Sequence, residues 1–382
     1  MSKNSEPKMF KPSLRDPKTL VILAVIALAI FIVAENSRRE VRLPDYEVKL
    51  DAAKRMQTSL ETVKQTRFGT GQVPDEINDP NATAMIGRQE SPITVEDGKL
   101  EDALTALNPN IAAAIVSYLL EANIKPGDPV AVGLSGTFPG LNLATICALE
   151  AVKAKPVIIT SLGSAQWGAN DPSFTWLDIE SALYKSGRIA HHSTLASLGG
   201  GGDYGRGLSD KGRQLLRDAI ARNNVEKLEV GSLDSSISLR LQKYEKELGG
   251  KPKLFISVGG SFADIGHQAN TWLIPTGFFP NLPERNYPNI GVLHHYAETG
   301  IPFIHLFDVR MITQTFELPK SPVPLPDPGK GGVYATERYD VRIAALLLAI
   351  FIVIFGIVVN YDRKKYKLKE EGADPDTLPI NK

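Results

Sequence analysis

Three glycine-rich segments carry the residue types that could do chemistry. The first is Gly133-Leu134-Ser135-Gly136-Thr137-Phe138-Pro139-Gly140, between a short apolar run and a helical one. Backbone N–H groups in such a turn, together with the start of the helix, favour a carboxylate or a phosphate. Ser135 and Thr137 add hydroxyl donors, so Gly133, Ser135, Gly136 and Thr137 are candidate ligand-binding residues. The segment lacks the Gly-Lys-Ser/Thr ending of a Walker loop and does not spell G-x-G-x-x-G. A tight strand-to-helix turn needs glycine even with no ligand.

The second is Gly259-Gly260-Ser261-Phe262-Ala263, which approaches a G-x-S-x-G nucleophile elbow with Ala263 where the last glycine belongs. Ser261 and Ser135 are thus candidate nucleophiles, with Gly259 and Gly260 as ligand-facing backbone. Asp264, Asp308, His267, His294, His295 and His305 offer acids and bases, but no spacing selects a triad. A packing turn at a strand end would use the same residues.

The third is Gly199 to Gly202, followed by Asp203, Tyr204, Gly205, Arg206 and Gly207. Such a run costs conformational entropy, so it is either mobile or in close approach to something. Lys185, Arg188, Arg206, Lys211, Arg213, Arg217 and Arg222 outnumber Asp203, Asp210 and Asp218 around it. A solvated helix face explains most of this excess. The sharper reading is a site for an acidic ligand built on Arg188, Arg206 and Lys211.

The six histidines include the adjacent pairs His191-His192 and His294-His295, which diverge on either a strand or a helix. With no H-E-x-x-H and a single cysteine, Cys147, the expectation is no metal site, and no cofactor is specified. Trp167 to Pro172 and Trp176 suggest an ordered loop over a sheet's carboxyl edge. The chain has 382 residues with 43 basic and 43 acidic side chains, a balance that gives no hint of a nucleic-acid partner.

The elements that must position these groups alternate. Helical spacing covers Asn110–Ala122, Leu141–Lys153, Leu177–Ser186, Ser209–Asn223 and Leu233–Leu248. Apolar strands read at Val130–Leu134, Pro156–Thr160, Leu254–Val258 and Phe303–Phe307. Short connections between them argue for parallel strands buried on both faces. The expected class is α/β: a doubly wound, mostly parallel sheet in one large soluble domain, residues 100–318. Residues 36–99 hold an amphipathic helix, Tyr46–Thr66, read as a stalk or as packed on the domain, and then an irregular segment. Residues 319–341 form a proline-rich linker.

Two apolar runs, Leu20–Ala34 and Ile343–Val359, have no polar stripe and read as transmembrane helices, 19–35 and 342–360. Each gives roughly 23–26 Å of apolar helix, and flanking Lys and Arg side chains can snorkel to cover the rest. A lipid bilayer is the implied partner. The leader (residues 1–18) and the tail (residues 361–382) are basic, so both prefer the cytoplasm and the middle is expected outside. Arg38, Arg39 and Arg42 argue the other way.

Several phrases resemble a known family. Glu76 to Asn81 (EINDPN), Val130 to Pro139 (VAVGLSGTFP), Gly163 to Trp176 (GSAQWGANDPSFTW), the glycine run with Arg206 to Ser209, Val258 to Ser261 (VGGS) and Pro302 to Leu306 (PFIHL) are similar to the poly-γ-glutamate system protein family. The likeness spans about Lys11 to Leu325. It implies a bacterial cytoplasmic-membrane component accompanying the synthesis and export of poly-γ-glutamate, a polyanionic polymer. The implied partners are that polymer and the synthase and export subunits. No reaction comes with the resemblance. The expectation is an accessory component binding polymer or subunits; the alternatives are a serine-dependent hydrolase or amide transferase using Ser135 or Ser261, and a non-catalytic scaffold.

Overall fold

The computed structural model describes residues 13–370; residues 1–12 of the leader and 371–382 of the tail lie outside the described residues. The chain divides into two compact units, one running from Leu43 to Ala335 and the other formed by the residues before and after it.

In the larger unit seven strands make one sheet. In chain order they are β1 (Pro129–Ser135), β2 (Lys155–Ser161), β3 (Ser193–Ser197), β4 (Glu226–Lys227), β5 (Leu254–Val258), β6 (Gly277–Phe279) and β7 (Phe303–Leu306). Across the sheet they stand β6-β7-β5-β1-β2-β3-β4. Neighbours run parallel except for the antiparallel edge pair β6–β7. From β1 the chain steps outward through β2, β3 and β4, then returns as β5 on the other side of β1. The protein is therefore mixed α/β with a mostly parallel sheet, as the alternation predicts.

Alternate residues serve opposite faces. Val130, Val132, Leu134, Ile256, Val258 and Ile304 join one core, built with helices α1 (Tyr46–Phe68), α2 (Asn110–Glu121), α3 (Pro139–Ala151), α4 (Trp176–Lys185) and α5 (Asp210–Arg222). Ala131, Phe255 and Phe303 join the other, under α6 (Leu233–Leu248) and α7 (Val292–Glu298). A last helix, α8 (Val309–Thr315), follows β7 on the first core's side.

Local chemistry sets several boundaries. Thr175 and Asp178 form a capping box that starts α4, and Ser209 and Ser232 cap α5 and α6 by accepting from Gly212 and Ser235 N–H. Gly249, left-handed at φ 75°, ends α6. On α1, Ala52, Ala53, Met56, Leu60 and Val63 are all buried, and the helix packs on α2 and α3. The compact unit accordingly extends beyond 100–318 on both sides.

Three strands have no counterpart in the sequence reading: β3, β4 and β6. Ser193-Thr194-Leu195-Ala196-Ser197 looks too polar for a buried strand. Its serines are nonetheless satisfied inside, Ser193 by Thr160 and Glu180, Ser197 by Asp203. β4 is two residues long, and β6 is a three-residue edge.

In the smaller unit, Pro17–Glu35 and Val341–Lys367 are each long and apolar enough to cross a membrane, and little of either is buried. Asp16 caps the first with Pro17 at its first turn. A two-stranded ladder, Arg38–Arg42 with Ala335–Tyr339, and an ion pair of Arg39 with Asp340 join the two ends of the chain.

Candidate functional site at the carboxyl edge of the sheet

Strands β1 and β5 are neighbours, with Gly133 level with Ser257, so the turns that follow them meet. Gly259 has φ +77°, and a Cβ there would fall about 2.1 Å from Ser135 Oγ. Only glycine allows that approach. Gly260, at φ +65°, lies against Phe307 and Thr271. The first and second glycine turns are thus one packed structure.

Both candidate nucleophiles are buried, Ser135 at 3% exposure and Ser261 at 7%. Ser135 Oγ accepts from Thr137 N–H at 3.3 Å. Ser261 Oγ accepts from Asp264 N–H at 3.2 Å and caps the short helix Phe262–Ile265. In neither case is the partner a histidine, although serine nucleophiles need an adjacent base. Gly291 N–H donates to His294 Nδ1, and His305 is wholly buried on β7. Burial lowers both imidazole pKa values to about 4, so each is neutral at ordinary pH.

Beside Thr137 opens a cleft of about 250 Å³. Phe138, Trp272 and Phe307 give it aromatic walls. Trp272 stands perpendicular to Phe307 at 5.3 Å, and so does Phe138, more loosely, at 5.9 Å. Glu96, Asp97, Asp102 and Asp308 face the same space, against Lys99 and Arg310. The short strand Thr94–Glu96, paired with Ser164–Ala165 after β2, brings Glu96 there. Thr137 Oγ1 donates to Glu96 Oε1 at 2.7 Å. Burial raises the pKa of Glu96 and of Asp102. Asp308 caps α8 and holds Arg310 Nε at 3.2 Å.

A second cleft, of about 330 Å³, is more polar. Arg206, Tyr204, His267 and Asn289 line it together with Ser232 and Asp234 at the start of α6. The other two predicted cations stand elsewhere. Lys211 is exposed on the first turn of α5. Arg188 follows the C-terminus of α4, near the amino end of β3, where its Nε donates to Thr62 at 3.0 Å. Arg206 therefore lines a different cleft from Thr137, and the acidic rim faces the Ser135–Thr137 turn.

Beneath the turns lies a buried charged cluster invisible in the sequence. Arg240 and Asp203 are both 0% exposed, with Nη2 and Oδ2 2.9 Å apart. Ser161, Ser197 and Ser236 all donate to Asp203. Asp264, equally buried, has Oδ1 3.9 Å from Arg240 Nη1. Burial raises its pKa to about 7 against the opposing pull of Arg240. The glycine run delivers Asp203 to this cluster. Gly199, Gly200 and Gly202 take positive φ, and a Cβ on Gly199 would meet Gly163 N at 2.7 Å. Close approach accounts for these glycines. Arg240 left no signal in the sequence beyond a charge in an amphipathic helix; Glu96 and Trp272 left none in any motif.

Comparison with known proteins gives no matching family model, no matching curated protein and no matching solved structure.

Proposed function

We propose that this chain is a membrane-anchored accessory component of a bacterial poly-γ-glutamate synthesis and export system, binding the polymer or its partner subunits. One observation carries the reading. Of the six phrases that resemble that family, Gly163–Trp176, the glycine run to Ser209 and Val258–Ser261 lie at the carboxyl edge of the sheet, and Val130–Pro139 and Pro302–Leu306 contain strands β1 and β7 and reach that edge at their ends. The strands they follow or contain are neighbours in one sheet, although up to about 170 residues of sequence separate the phrases. A shared sequence pattern collected at one edge supports a shared ligand-binding role for that edge.

The sheet is taken as doubly wound, with β1 and β5 flanking its switch point; the reversed strand order and the cores on both faces support this. Polymer carboxylates suit the Arg206 cleft, where an arginine and the first turn of the 16-residue helix α6 favour negative charge and Asp234 alone opposes it. The two apolar helices are taken to span the cytoplasmic membrane. The basic residues outside them support cytoplasmic ends and an extracytoplasmic domain.

The test uses the full chain in detergent with purified poly-γ-glutamate, following binding and polymer length at low and high salt. Salt-sensitive binding that Arg206→Glu weakens supports the reading. Shortened polymer would instead favour a hydrolase. Neither binding nor cleavage would sink the polymer reading and leave a scaffold.

A further inference from the structure

The Thr137 cleft has the opposite character from the Arg206 cleft. Four carboxyl groups face it against two basic side chains, and one of those, Arg310, is already held by Asp308. Asp102 lines the cleft too, and its Oδ1 is closed off from solvent and makes no hydrogen bond among the described residues. Trp272, which lines the cleft, is 64% exposed. Aromatic walls joined to carboxylates are the surroundings in which an organic cation is most stable. Carboxylates along a polyanion are repelled by the same rim, so such a chain enters only by an end that carries a cation.

We propose that this cleft binds a primary ammonium carried on an amino-acid-like ligand, with Glu96 and Asp102 as its acceptors and Trp272 against its carbon skeleton. The proposal deepens the polymer reading, on which the amino end of a γ-glutamyl chain is the natural occupant. The carboxylate next to that ammonium would lie toward Lys99. The shared chemistry also fits free glutamate, so the two sources must be separated.

The experiment titrates full-length protein in detergent micelles with three probes: L-glutamate, a γ-glutamyl trimer with a free amino end, and the same trimer acetylated on nitrogen. Binding is read by calorimetry and by tryptophan emission. Trp176 is fully buried, and Trp272→Phe identifies the responding ring. The expected result is that acetylation weakens the trimer about tenfold or more, roughly the loss of one charge-assisted hydrogen bond. Glu96→Gln and Asp102→Asn should each weaken the free-amine trimer in the same sense without lowering the thermal midpoint. Equal affinity for acetylated and free trimer would overturn the proposal, as would no response to any probe. Binding of L-glutamate alone would uphold the ammonium site while removing the polymer as its source.

Discussion

The carboxylate of Asp264 lies flat against the Cα of Gly133. A Cβ built on that glycine would sit about 2.2 Å from Oδ2 and 2.4 Å from Cγ, well inside van der Waals contact. The lack of a side chain at Gly133, a candidate ligand-binding residue, makes room for this buried acid. Gly133→Ala should destabilise the domain by about 1–3 kcal/mol through overpacking. Urea denaturation of the single variant and of Gly133→Ala combined with Asp264→Ala checks this. The second change should recover part of the loss if the contact is its cause.

Arg240 and Asp203 form an ion pair with no exposure on either side. Removing one partner leaves a desolvated charge, so Arg240→Met should cost about 3–5 kcal/mol. Adding Asp203→Asn in the same chain removes the orphaned charge and should restore part of it. Denaturation midpoints of the two variants give the comparison, and an undiminished loss in the double variant would contradict the account.

Four buried groups give stability a pH dependence with a definite sign. Asp264 and Glu180 have folded pKa values raised to about 7 from 3.8 and 4.5, by burial in each case. Each contributes stability that is full below its unfolded value and lost as pH rises toward 7. His294 and His305 are lowered to about 4 from 6.5, also by burial. They contribute stability that is full above 6.5 and lost as pH falls toward 4. The two pairs oppose each other between about pH 4.5 and 6.5, and the carboxyls alone act just above that. Asp264→Asn should therefore make stability rise more steeply between about pH 4.5 and 6.5 than in the parent. Thermal midpoints across that range test it, and an unchanged slope would contradict the assignment.

Cys147 is 1% exposed, and burial raises its thiol pKa. A thiolate-selective reagent should leave it unlabelled in the folded protein at mildly alkaline pH and label it fully in denaturant. Mass measurement before and after denaturation shows the difference. Labelling of the folded chain at the free-thiol rate would place Cys147 outside the core.

Much of the architecture is legible in local pattern. Val130–Leu134 is an unbroken apolar run and Leu254–Val258 is interrupted only by Ser257, and a strand buried on both faces needs little more to declare itself. Helix α6 begins at Ser232 and ends at Gly249 because a cap and a left-handed glycine act within a few residues. The strand β3 escaped because its stability rests on partners far along the chain: Glu180 for Ser193, Asp203 for Ser197.

The amino-acid sequence was enough to reveal two apolar segments, an α/β alternation and three glycine turns, since each is written in the order of neighbouring residues. It could not say which of those turns share a site. Folding set Gly259 against Ser135, turned Thr137 toward Glu96 and carried Arg206 to a separate cleft. Those pairings depend on strand order, and strand order is fixed by contacts between residues more than a hundred positions apart, which no local spacing encodes.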